Sequence, residues 1–215
     1  MNPYPVPLRE SRAEIRIANS RFIASLAPAF SVEQARAFID RIRNEFSDAS
    51  SHVPAFVIGH GASLITHCND GGEPSGTAGR PALSVLQGSG LGDVVVVISR
   101  YFGGTKLGTG GLVRAFSEAV RQVLAVTPRA QKTTTHTVRM TVPYDLFERS
   151  RLLIEGHGGE VLDESFAVEV SISARFAESR WPDFQAGLQE LSRGQIEAQV
   201  IDTNSDSLLP LPPSV

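Results

Sequence analysis

Asp93-Val94-Val95-Val96-Val97-Ile98-Ser99-Arg100-Tyr101-Phe102-Gly103-Gly104-Thr105-Lys106-Leu107-Gly108-Thr109-Gly110-Gly111-Leu112-Val113-Arg114 is the stretch that decides the fold. Its unbroken β-branched run, Val94–Ile98, suits a strand covered on both faces. A glycine-rich loop follows. Leu112, Phe116, Ala119, Val120, Val123 and Leu124 then recur as one apolar stripe of a helix over about Gly111–Ala125. Strand, glycine loop and helix are thus the local architecture.

Upstream, Asn69-Asp70-Gly71-Gly72-Glu73-Pro74-Ser75-Gly76-Thr77-Ala78-Gly79-Arg80-Pro81 forms a second glycine-rich loop. It precedes the helical-looking Ala78–Leu86, for which Thr77 fits an N-cap, while Asp70 fits an Asx-type turn. Two strands are expected before it, near Val53–Ile58 and Ser63–His67, joined by the turn Gly59-His60-Gly61-Ala62. Ser31-Val32-Glu33-Gln34 has capping-box spacing, and Ala35, Phe38, Ile39, Ile42 and Phe46 continue from it at helical intervals. Arg16–Leu26 reads as one extended segment.

Downstream, Thr127–Thr135 reads as a linker. Beyond it come a strand (Thr137–Pro143), a helix (Asp145–Glu155), strands (Gly159–Leu162 and Phe166–Phe176), a helix (Trp181–Leu191) and a strand (Ile196–Ile201). The order β-α-β-β-α-β predicts a ferredoxin-like unit. The chain is therefore expected to be α+β with a first domain over 1–130 and a ferredoxin-like second over 131–202. The tail 203–215, rich in Ser and Pro, is expected to lack fixed structure.

Composition bounds the class: 41% apolar and 20% charged residues in 215 are ordinary for a globular protein. Cys68 is the only cysteine, which excludes an internal disulfide framework and makes a reducing cytosol the natural setting. The start, Met1–Pro7, lacks the order of a signal peptide and no run reaches the length of a membrane span, so a cytoplasmic protein is expected. Charge is uneven. Residues 1–130 hold 13 Lys+Arg against 10 Asp+Glu, whereas residues 131–215 hold 7 against 13. That asymmetry suits a first domain that meets anions.

Because the loop after Phe102 opens a helix, its N–H groups at Gly110 and Gly111 are placed to cradle a phosphate, with Arg80, Arg100, Lys106 and Arg114 adding positive charge. Gly76, Gly79, Gly103, Gly104 and Gly108 shape the loops. The spacing matches neither a Walker loop nor a dinucleotide fingerprint, and tight turns account for glycine-rich runs as well. Asp70 and Glu73 are the carboxylates for acid/base work, though no nucleophile accompanies them. Tyr101 and Phe102 beside Arg100 suit base stacking or burial at a strand end. His67 and Cys68, adjacent on one strand, point to opposite faces, so no metal site is expected with His60. No cofactor is expected either.

Asp70–Gly79 followed by Val95–Ala115, with Ser20–Ala24 and the helix from Ser31, closely resembles the signature of the IMPACT family. The resemblance covers about residues 16–128, and the C-terminal part looks like the companion domain of bacterial two-domain members. It implies a first domain like the second domain of ribosomal protein S5 and a C-terminal domain like the last domain of elongation factor G, both translation modules. Eukaryotic members regulate translation during amino-acid starvation. Two departures stand out: Gly71 replaces the second of consecutive acidic residues, and only His52 remains of a His-Asn-Cys-type element.

The favoured expectation is a non-catalytic, translation-associated regulator that binds RNA or the ribosome through the glycine-loop face. A protein partner for the acidic C-terminal domain, around Glu155, Glu160, Asp163 and Glu164, is a further expectation. The alternative is an enzyme acting on a phosphorylated small molecule.

Overall fold

The structure, a computed structural model, describes residues 3–61 and 64–211. It is an α+β protein of two compact units, one built from Tyr4–Gln131 and the other from Lys132–Leu209.

In the first unit the chain runs β1 (Tyr4–Pro7), β2 (Ser11–Ile17), β3 (Ser20–Pro28), α1 (Val32–Glu45), β4 (Ser51–Ile58), β5 (Ile65–Cys68), α2 (Gly79–Gly88), β6 (Val94–Tyr101) and α3 (Gly108–Val126). One sheet holds the order β2-β3-β6-β4-β5, antiparallel at every pairing. β6 lies at its centre. Val94, Val96 and Ile98 face α2 and α3, where Leu86, Phe116 and Val120 are buried, while Val95 and Val97 face α1 through Phe38, Ile39 and Ile42. The β-branched run thus fills both faces, as its sequence requires. Phe22 meets Phe116 edge-on at 5.2 Å, a geometry that adds about 0.5–1.5 kcal/mol to the area buried.

The α1 start behaves as its spacing predicts: Gln34 N–H donates to Ser31 Oγ, and the Phe30 N–H donates to Gln34 Oε1. The segment read as one extended run from Arg16 is instead split by a hairpin. Ala18 (φ 46°) and Asn19 (φ 65°) occupy the left-handed region, which two-residue hairpin turns need, so β2 folds back onto β3. Ala62 and Ser63, the end of one expected turn and the start of one expected strand, lie outside the described residues.

The second unit takes in most of β7 (Arg129–Val142), then α4 (Tyr144–Gly156), β8 (Glu160–Phe166), β9 (Val170–Ala177), a 3-10 turn (Glu178–Arg180), α5 (Trp181–Ser192) and most of β10 (Ala198–Pro210). β7 pairs with β9 and with β10, and β9 pairs with β8, which gives the ferredoxin-like arrangement. Met140, Ile172 and Phe176 from the sheet pack against Ile154, Phe184 and Leu188 from the helices.

Two expectations are corrected here. The linker read at Thr127–Thr135 is mostly the first half of β7. Residues 203–210, expected to lack fixed structure, continue β10: Ser207 is buried and shares a 2.7 Å hydrogen bond with Thr135 Oγ1, and His136 Nδ1 meets Thr203 Oγ1 at 3.0 Å. Backbone pairing holds a strand whatever its polarity, and side chains on the facing strand satisfy its hydroxyls. Residues 212–215 of the expected tail lie outside the described residues.

Candidate functional site

Both glycine loops end at helix N-termini on the α2/α3 side of the sheet, yet their polar groups are used differently. In the first, Asp70 Oδ1 accepts from the N–H groups of Ala78 (3.1 Å) and Gly79 (2.8 Å), and Oδ2 accepts from Gly76 (2.9 Å). Asp70 therefore caps α2 from eight or nine residues upstream. Thr77, expected to cap that helix, instead donates its hydroxyl to Pro74 O at 2.7 Å. The Asx-type turn belongs to Asn69, whose Oδ1 accepts from Gly71 N–H.

Burial pushes the Asp70 carboxyl up, but the N–H donors of Gly76, Gly79 and Ala78, with Arg80 nearby, outweigh it and hold the group below its ordinary range. Asp70 is a settled anion, poorly suited to move protons. Gly71 (φ 61°) passes so close to His52 O that a Cβ would lie 2.0 Å from it. Beside this loop, Cys68, Asp70, Ser75 and Arg80 line a cleft of about 380 Å³. Burial, then the Asp70 charge, pushes the Cys68 thiol up, away from reactive thiolate.

Glu73 is buried against the next strand. It accepts from Ser51 Oγ at 2.6 Å and from Arg100 Nη1 at 2.6 Å, the two charged side chains being only 7% and 8% exposed. The Arg100 guanidinium lies 5.4 Å from both the Phe22 and the Phe102 ring centroids, and Nη2 donates to Ser20 Oγ at 3.4 Å. Its Nε has no acceptor among the described residues. The sequence reading groups Arg100 with Arg80, Lys106 and Arg114 as a phosphate-binding cation; its side chain is buried as the counter-ion of Glu73.

The second loop is more open. Phe102 and Gly103 donate their N–H groups to Ser50 Oγ and Ser20 Oγ, and Tyr101 donates its hydroxyl to Asp48. Phe102 keeps 49% of its surface exposed. Gly76, Gly104 and Gly108 have positive φ, while Gly79 and Gly103 sit against the Asn69 and Asn19 backbones. Leu107, which precedes α3, provides no side-chain cap, and no other side chain among the described residues accepts from the first N–H groups of that helix. Glu73, Pro74, Arg100, Phe102, Lys106, the Leu107–Thr109 turn and Leu112 line a cleft of about 430 Å³. Arg80, Lys106 and Arg114 are exposed.

No group of three or more His, Cys, Asp or Glu side chains is arranged for a metal ion among the described residues. His67 rests on Phe56 and His60 stacks on Tyr4 at 4.8 Å. Ser20 and Ser51, which hold the Glu73–Arg100 pair and the Gly103 backbone, carry no mark of that role in the sequence. A buried ion pair demands extra hydrogen-bond partners, but that demand does not say which serine answers it. A polar cleft of about 340 Å³ on the α1 side, lined by Arg36, Arg43, His67 and Asn69, is likewise unmarked.

A three-layer domain with a capped and an uncapped glycine loop, followed by a ferredoxin-like domain, defines a two-domain α+β class. Residues 18–124 match the Impact N-terminal domain, and residues 140–195 match a domain of unknown function, DUF1949. The chain is 36% identical over 203 residues to an IMPACT family member of Haemophilus influenzae, covering 94% of this chain and 98% of that one. It is 33% identical over 203 residues to the IMPACT family member YigZ of Escherichia coli, covering 94% and 100%. A crystal structure of a hypothetical protein superposes with a TM-score of 0.61 at 33% identity, covering 94% of this chain and 98% of the other. The chain belongs to the IMPACT family.

Proposed function

We propose that the protein is a translation-associated regulator that binds RNA or the ribosome through the glycine-loop face of its first domain, without catalysis. The observation that carries the reading is the open cleft in which exposed Phe102, Lys106 and the uncapped start of α3 come together. Helix N-termini and lysine bind phosphate, and exposed aromatic rings accept unstacked bases. The translation modules that the family resemblance implies point the same way. Asp70 and Glu73 are engaged in a helix cap and a buried ion pair, which weighs against their service as acid and base in the alternative enzyme reading. No helix among the described residues is long and apolar enough to cross a membrane. A cytoplasmic location fits the proposed role.

The test is sedimentation with ribosomes and separated subunits at two salt concentrations, beside a titration with structured and single-stranded RNA. An Arg80→Ala, Lys106→Ala, Arg114→Ala triple variant removes exposed cations only, so it should fold. Binding is expected to be saturable and salt-sensitive, and the triple variant to lower the salt slope by up to about three. Unchanged binding in that variant overturns the site.

A further inference from the structure

β5 ends the first unit's sheet, and its outer edge pairs with no strand among the described residues. Asn69 N–H donates to Pro54 O at 3.1 Å, and antiparallel pairs alternate between bonded and non-bonded, so His67 with Phe56 and Ile65 with Ile58 are the bonded pairs. The N–H and C=O groups of Thr66 and Cys68 therefore point away from β4. No hydrogen bond among the described residues takes them.

Unpaired strand edges invite pairing, and proteins guard them with charge, bulges or cover. The opposite edge of this sheet, β2, is guarded: Ala13, Ile15 and Ile17 pack against the core that includes Phe116 and Val120 of α3, while Arg12, Glu14 and Arg16 form ion pairs. β8, an edge of the other sheet, is broken by a bulge between Val161 and Asp163 and carries Glu160, Asp163 and Glu164. β5 has neither device. Ile65, Thr66, His67 and Cys68 run in unbroken register with Ala55–Ile58, include no Pro, Lys or carboxylate, and leave Ile65 55% exposed.

Charge selects what such an edge accepts. On the α1 side lies the cleft of about 340 Å³ in which Arg36 and Arg43 of α1 converge with His67 of β5 and with Asn69, over Ile39, Pro54 and Phe56. Arg36 and His67 make no hydrogen bond among the described residues, and Asp40, also in the lining, is met by Arg43 at 3.5 Å. On the opposite face Arg80 lines the cleft beside Cys68, where Asp70 is spent on the α2 cap. Both faces beside the edge thus present cations. A second β5 pairing there would set like charges against each other, whereas carboxylates meet their complement.

We propose that β5 is the docking edge for an extended acidic segment of a partner protein, which adds to the sheet beyond β5. Its backbone pairs with Thr66 and Cys68, and alternate side chains, bearing carboxylates, reach Arg36 and Arg43 on the α1 side. The free backbone edge supplies affinity for any extended chain, and the arginines choose an acidic one. This site shares no lining residue with the Phe102 cleft and does not depend on the RNA-binding reading.

The probe is a short fluorescent peptide alternating Glu with Val, titrated into the full chain by anisotropy beside the same peptide with Lys for Glu. The Glu peptide is expected to bind and the Lys peptide not to. An Arg36→Ala, Arg43→Ala variant removes exposed cations and should weaken binding about ten-fold or more. Thr66→Pro removes an N–H that β4 does not use and should weaken it to a similar degree. Amide hydrogen exchange reads the pairing directly and needs no variant: the Thr66 and Cys68 amides should exchange freely in the free chain and become protected when the Glu peptide is bound. No peptide binding, equal binding of the two peptides, or binding that leaves those amides unprotected overturns the proposal. Protection that grows with protein concentration in the absence of peptide makes a second copy the occupant and overturns it too. So does a single-stranded RNA that displaces the peptide and is weakened by the arginine variant but not by Thr66→Pro, which would make this face a nucleic-acid surface.

Discussion

The loops before α2 and α3 are alike in composition but opposite in use. Both are glycine-rich and both deliver the chain into a helix N-terminus. Before α2 the free N–H groups are taken by Asp70, whereas before α3 the described residues offer no side chain to take them. The same backbone chemistry is structural where the protein supplies its own carboxylate and receptive where it does not. Glycine content alone cannot separate the two cases.

The largest effect should come from the buried pair at the foot of both loops. Glu73→Ala leaves the Arg100 charge buried without its partner, and unfolding by urea should show a loss of about 3–5 kcal/mol. A loss under about 1 kcal/mol would mean the pair is solvated and the two loops are not held apart by it.

Asp70→Ala, which uncaps α2 and makes the two loops alike, should cost about 1–2 kcal/mol, with Asp70→Asn recovering part because its amide oxygen still accepts. The pH dependence has a definite sign. Because the folded Asp70 carboxyl titrates below its ordinary range, its contribution is complete above the unfolded value of about 4 and is lost as pH falls through the lower, folded value. The stability gap between the wild type and Asp70→Asn should therefore shrink in acid. A gap independent of pH would show that the cap does not depend on charge.

Smaller and opposite in sign is the glycine comparison. A Cβ at Gly79 would lie 2.8 Å from the Asn69 backbone, whereas one at Gly110 meets nothing within 4 Å. Gly79→Ala should destabilise the fold; Gly110→Ala should stabilise it by about 0.4–1 kcal/mol, read from thermal unfolding. If the α3 start meets a phosphate, the stabilised Gly110→Ala variant should bind RNA more weakly. Retained affinity would place the contact elsewhere.

The sequence reveals what local chemistry encodes. Val94–Ile98 announces a central strand because β-branched residues on both faces fit nothing else so well, and Ser31 with Gln34 announces the start of α1. The hairpin at Ala18-Asn19 is hidden because its turn has no glycine, leaving only Asn19 as a hint of the left-handed backbone. The far half of β10 is hidden because the polarity of residues 203–207 resembles a tail, while Thr203 and Ser207 find their partners on a strand far back in the chain. In the site, the loops themselves are legible, but the exposure of each cation is not. Arg100 is withdrawn from the surface by Glu73, 27 residues away, and by Ser20, 80 residues away. Contacts of that range leave no periodic trace.

The place of β6 in the sheet also sets an order of events. β6 pairs through Val96 with Leu26 of β3 on one side and with Ala55 of β4 on the other. As the chain is synthesised, the β2–β3 and β4–β5 pairs emerge first, each with the edge that β6 will fill left bare. Those bare edges can close on each other, or on a second chain, for as long as the central strand is absent. Closing the long loops back to β3 and β4 is slow compared with forming either hairpin. The interval between the emergence of β4 and that of β6 is therefore when this chain is most prone to aggregate, and a translational pause in that window would lengthen it.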